Sequence, residues 1–250
     1  WGTVDYTDDQ APTCFFGIYS LNDFFTLWKH RGERHILWAG SDITRLLNGY
    51  WLDAVGNIRM DSTSLARWIN MACTNWVENE LERKELESIG ITAKVCPSFL
   101  GDVSKFDISW RPGNKVYTSV SGDDYELYGW HKIDELARNN PRITFYLYGN
   151  RKPWKSKMPN VIVRGRVDKE VMNAETKNMQ GALRLNEHDG FSEILVKSIL
   201  WGQWPVSTIE YPHMLKPENI SRILDKKKPN IDGREYYLSR LNNFPWYVKK

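Results

Sequence analysis

Short runs of β-branched and aromatic residues alternate with segments of helical period along this chain, and the series is run through twice. Strand, crossover helix and strand make the unit of a parallel sheet, so the alternation predicts an α/β fold. The first series has candidate strands at Cys14–Ser20, His35–Gly40, around Ala72–Val77 and at Ala93–Cys96. Before the last of these, Glu78–Gly90 sets Leu81, Leu86 and Ile89 near one helical face and ends on a glycine stop signal. Pro97–Gly113 then carries prolines and glycines without a sustained period and reads as a connection. The second series offers strands at Lys115–Val120, Ile143–Tyr148, Val161–Val167, Ala182–Leu185 and Pro205–Thr208, with helices at Tyr125–Asn139, Lys169–Met179 and Ser192–Trp201. Two domains are expected, residues 1–105 and 106–250, the second finished by helical segments after Lys216. Ligands of such sheets lie beyond the carboxyl ends of the strands, which makes the loops there the candidates for chemistry.

Composition sets the outer bounds. The 250 residues carry 34 Lys+Arg against 31 Asp+Glu, a net charge of +3, and 41% are hydrophobic, enough for a sizeable core and too many for a disordered chain. Mean hydropathy is −0.55 and no apolar run approaches the roughly 18 residues of a membrane span. Cys14, Cys73 and Cys96 are odd in number and widely spaced, which fits core thiols in a reducing cytoplasm rather than disulfides or a zinc site. Lys226–Lys228 and Lys249–Lys250 are small basic clusters, suited to solvent or to weak contact with an anionic membrane surface. The 12 Trp are the one unusual entry in the composition. Most belong in a core, with Trp38 and Trp51 the candidates for stacking on a sugar.

Several chemistries lack their residues. No HExxH, GxSxG, P-loop or GxGxxG pattern occurs, and without an Asp-x-Asp no bound metal or resident cofactor is expected. Asp123–Asp124 and Glu187 with Asp189 could pair as a glycosidase acid and base, but two acids in one loop are more often solvated. The densest polar loop is Asn186-Glu187-His188-Asp189-Gly190-Phe191-Ser192-Glu193, where Asp189 or Ser192 can cap a helix whose first N–H groups would attract a hydroxyl or a phosphate. Gly40-Ser41-Asp42, at the end of an earlier strand, is a second loop of this kind, with Ser41 or Asp42 equally suited to capping.

From Gly181 to Val206 the chain reads GALRLNEHDGFSEILVKSILWGQWPV. Asp189-Gly190-Phe191-Ser192 and Gly202-Gln203-Trp204-Pro205-Val206 resemble the donor-sugar loop and helix of retaining glycosyltransferases with the GT-B fold. Tyr128-Gly129 onward and Val77–Val103 resemble that family more weakly. The resemblance implies two Rossmann-like domains facing across a cleft, with a short N-terminal one, and transfer of a hexose from a nucleotide sugar, UDP- or GDP-linked, to a carbohydrate or lipid-linked acceptor. It implies Asp189 and His188 at the reacting sugar, and Arg184, Asn186, Gly190, Phe191, Ser192, Lys197, Ser121 and Gly122 around the donor. Gly40, Ser41 and Asp42 would stand on the acceptor side.

Two departures from the family's pattern bear on the donor. Where the family has a Glu that accepts the ribose hydroxyls, this chain has Lys197, which only donates and which stands four residues after Glu193, the spacing of a helical ion pair. The family's phosphate-binding Arg and Lys are unmatched as well, leaving Arg184, Lys197 and Arg151 as candidate cations. These departures also admit a second reading, a GT-B-like chain that has lost catalysis and scaffolds an active partner. A third keeps the chemistry with a nucleic-acid base as acceptor, although no dense basic stripe supports it.

Overall fold

The computed structural model describes residues 5–47 and 62–246. Contacts divide the chain into two compact units, one made of Trp1–Ser98 with Leu241–Lys250 and the other of Phe99–Arg240. The sequence-based division fell at residue 105.

In the first unit β1 (Thr13–Phe16), β2 (Arg34–Leu37), β3 (Thr74–Val77) and β4 (Ala93–Val95) form a parallel sheet in the order β1-β2-β3-β4. Around it lie α1 (Leu21–Lys29), α2 (Ser41–Leu47), α3 (Ser62–Ala72) and α4 (Glu80–Ser88). Local chemistry sets their ends: Ser20 and Asn79 accept the N–H groups of Asp23 and Glu82 as N-caps of α1 and α4. The core packs Ile18, Phe24, Leu27, Ile36, Trp38 and Ile69. Trp38 is fully buried, and its indole N–H donates to Asn75 Oδ1 at 3.1 Å. The expectation that Trp38 stacks on a sugar is therefore corrected; its apolar area is spent on the core. Trp51, the other candidate, lies outside the described residues.

The second unit holds β5 (Lys115–Ser119), β6 (Thr144–Tyr148), β7 (Val161–Gly165), β8 (Gly181–Arg184) and β9 (Val206–Ser207), all parallel, in the order β7-β6-β5-β8-β9. The order reverses between β5 and β8, the topological switch point at which open α/β sheets bind ligands. Its helices are α5 (Ile133–Asn139), α6 (Lys169–Thr176), α7 (Glu193–Leu200) and α8 (Ile231–Leu238). Only the end of the helix expected over Tyr125–Asn139 is α-helical; Trp130–Lys132 is a 3₁₀ turn entered from Gly129 at φ +67°. Glycine is needed there, since a Cβ would meet the Leu185 backbone oxygen at 2.6 Å. The segment expected to be helical after Lys216 is likewise 3₁₀ over Pro217–Asp225 before α8 begins. No helix among the described residues is long and apolar enough to cross a membrane.

Candidate functional site

Helix α7 is buried along every residue from Ile194 to Leu200, including Lys197 and Ser198. A helix buried all round must satisfy its polar side chains internally. Ser198 Oγ does so by accepting the Ala182 N–H of β8 at 2.9 Å and donating to Gln203 Oε1 at 2.8 Å. Gln203 in turn donates to the Thr176 carbonyl at the end of α6 at 2.7 Å and accepts the Tyr117 hydroxyl of β5 at 3.2 Å. These bonds lock two strands and two helices together across the switch point.

Above this network lies a cavity of 430 Å³ lined from five directions. Ser119–Gly122 follow β5, Gly149 and Arg151 follow β6, and Arg166 and Val167 follow β7. Helix α6 contributes Lys169, Met172, Asn173 and Thr176, and α7 contributes Glu193, Ile194 and Lys197. Gly149 has φ +93°, and a Cβ on it would stand 2.2 Å from the Val120 carbonyl oxygen, so only glycine lets the β5 and β6 ends approach this closely.

Four cationic side chains line the cavity, Arg151, Arg166, Lys169 and Lys197, against the carboxylates of Asp168 and Glu193. Glu193 Oε1 accepts Lys197 Nζ at 2.9 Å and Lys169 Nζ at 3.0 Å. Lys197 Nζ also donates to Asn173 Oδ1 at 3.3 Å. Burial pushes Glu193 up, but the Lys197 and Lys169 ammonium groups outweigh it and hold the carboxyl below the usual range. Among the described residues, Arg151 and Arg166 have no carboxylate within ion-pair distance of their guanidinium groups. Arg151 and Arg166 are therefore lining cations that no carboxylate among the described residues neutralises, of a type that can hold a phosphate by two parallel hydrogen bonds.

Of the residues predicted around the donor, Ser121, Gly122 and Lys197 line this cavity, as does the candidate cation Arg151. The others form a separate cluster on the loop after β8. Arg184 pairs with Asp189 Oδ2 through Nε and Nη2, both at 2.7 Å, and lies 4.4 Å over the Tyr128 ring. Phe191 is buried, stacked on Tyr237 of α8 at 4.9 Å, and Gly190 is tied down by the Tyr211 hydroxyl on its carbonyl at 2.6 Å. The Asn186 carbonyl accepts the Thr208 hydroxyl, while its buried side-chain Oδ1 has no hydrogen-bond partner among the described residues. His188 is half-buried, and Ser192 precedes α7 without a side-chain capping bond. In the first unit Gly40 and Asp42 are buried and Ser41 is exposed. Asp42 accepts the N–H groups of Ile18, Ala39 and Ile43 at 3.0–3.1 Å, tying the loop after β1 to the start of α2. In the basic run Lys226–Lys228, Lys226 lies 3.6 Å over the Trp204 ring; Lys249–Lys250 fall outside the described residues.

Sequence reasoning missed Arg166, Lys169 and Asn173. The signal was present: the rule that ligands sit past strand ends points to Arg166 and Lys169 as directly as to the loop after β8. In VIVRGRVDK, however, Arg164 and Arg166 alternate like the exposed positions of a strand. Only the structure shows that β7 ends at Gly165, at φ +73°, which makes Arg166 the first loop residue.

No protein-family model matches the sequence, and no curated protein matches it. Solved structures resemble it in fold. TarM superposes with a TM-score of 0.60 at 10% identity over 93% of this chain and 53% of its own. Sucrose-phosphate synthase from Thermosynechococcus elongatus gives 0.58 at 12% identity, over 87% of this chain and 67% of its own. Anabaena HepE, solved in complex with UDP and glucose, gives 0.56 at 10% identity over 86% and 70%. This chain thus spans about half the length of TarM. At such identities the likeness is one of fold: two Rossmann-like parallel sheets with helices, the GT-B class.

Proposed function

We propose that this chain transfers a glycosyl group from a nucleotide-sugar donor to an acceptor hydroxyl, and that the cavity of the second unit holds the donor's nucleotide. One observation carries the reading: the cavity lies at the β5/β8 switch point and is lined by Arg151 and Arg166, which have no acidic partner among the described residues. A diphosphate supplies the charge those guanidinium groups lack, and it becomes more negative as its bond to the sugar breaks, so the same donors would stabilise the departing group. The fold shared with HepE, solved in complex with UDP and glucose, supports a nucleotide as ligand.

The finer reading is transfer of a hexose with retention, from a UDP- or GDP-sugar to a carbohydrate acceptor, without a metal. The absence of any Asp-x-Asp in the sequence favours that last feature. Ser121 and Gly122 would approach the phosphates through backbone. Asp189, oriented by Arg184, and His188 would meet the sugar, with catalysis resting on orientation and charge stabilisation.

Calorimetric titration with UDP-, GDP- and ADP-sugars tests this. One of them is expected to bind, and Arg151→Ala with Arg166→Ala to weaken it about 100-fold, at roughly tenfold for each lost charge-assisted contact, with the loss shrinking at high salt. If none of the three binds or turns over, or if the double variant binds like the wild type, the assignment fails.

A further inference from the structure

Lys197 is left without a role in that reading. A nucleotide carries two ribose hydroxyls that act as hydrogen-bond donors, and sites at the ends of parallel strands commonly meet them with an acidic side chain. Lysine has three donors and no acceptor, so Lys197 cannot be that group. One turn earlier on α7, on the same helix face, Glu193 lines the same cavity. Its Oε1 meets the ammonium groups of Lys169 at 3.0 Å and Lys197 at 2.9 Å. The side chain is 55% exposed, while Lys197 is buried to 10% and is further held by Asn173 Oδ1. A carboxylate held by two ammonium groups and still half exposed at a cavity wall is a pre-organised acceptor. Asp168, the cavity's other acid, is exposed and its side chain makes no capping bond to α6.

We propose that Glu193 accepts hydrogen bonds from the ribose hydroxyls of the bound nucleotide, and that Lys197 and Lys169 position its carboxylate for this. Lys197 is then a positioning residue rather than a lost ligand. The inference rests on the reading that the cavity takes a nucleotide, and its test separates the two.

The full chain is titrated with UDP, GDP and ADP and with the 2′,3′-dideoxy form of each. Wild type is expected to bind one diphosphate about tenfold or more tightly than its dideoxy form, the scale of one charged hydrogen bond. Glu193→Gln is expected to lower the affinity for the hydroxylated nucleotide by about that factor and to leave the dideoxy form bound as before, which also shows that the variant is folded. Lys197→Met is expected to narrow the same ratio. Should wild type fail to distinguish the two forms, or Glu193→Gln weaken both equally, Glu193 does not meet the ribose although the nucleotide site stands. If instead Asp168→Asn abolishes the discrimination, the role belongs to Asp168. Absence of binding to every diphosphate overturns the nucleotide reading and this inference with it.

Discussion

A buried carboxylate costs several kcal/mol unless its lone pairs are filled, and Asp42 fills them with three backbone N–H groups, from the loops after β1 and β2 and from the first turn of α2. The residue was legible as a loop acid and helix-cap candidate, but the Ile18 N–H it holds is 24 positions away and no local pattern announces that partner. Asp42→Ala would leave those N–H groups buried without an acceptor and is expected to cost roughly 2–3 kcal/mol in urea unfolding at neutral pH. Burial raises the Asp42 pKa despite the N–H bonds. The folded state therefore binds its proton more readily than the unfolded chain, so this group's contribution worsens as pH rises through the folded value and improves as pH falls. Wild type should gain on Asp42→Ala as the solution is acidified towards that value, the reverse of an ordinary salt-bridged acid. Asp189 and Arg184 show the same limit of sequence: Arg184 was legible as a polar residue in a strand and Asp189 as one in the loop after it, but their mutual pairing is a fact of three dimensions.

At the level of elements, the strand positions were readable because β-branched and aromatic runs between turn signals leave little choice, and each strand from β1 to β9 lies within an expected strand or begins about a residue before it. The opening of α5 was not readable, because Gly129 is required by a clash with Leu185 that helical period cannot reveal. Gly149 is the corresponding constraint at the cavity. Gly149→Ala would place a Cβ against the Val120 carbonyl at a backbone angle alanine avoids. The expected cost is about 2–3 kcal/mol in chemical denaturation, together with a weakening of the proposed nucleotide-sugar binding as the β5 and β6 ends are forced apart.

Across the whole molecule, the sequence predicted two α/β series but not the route the chain takes. The last described residues, Leu241 to Trp246, belong to the first unit. Asn242 donates to the Pro97 carbonyl at 2.9 Å, Phe244 stacks on Trp246 at 4.7 Å, and both rings meet Trp76 edge-on. The run NNFPW has neither helical nor strand period, so nothing local assigns it to a core. Phe244→Ala is expected to destabilise the first unit by about 3 kcal/mol, read from its share of a denaturation curve, and to leave the nucleotide binding proposed for the second unit unchanged.

That route also orders events at the ribosome. Residues 99–240 are one uninterrupted stretch whose sheet and cavity can assemble as soon as they emerge, whereas the earlier-made unit waits for Phe244 and Trp246 to cover Trp76 and Cys96. The half synthesised first is therefore the half completed last, and its buried aromatic surface is the part a nascent chain must shield longest.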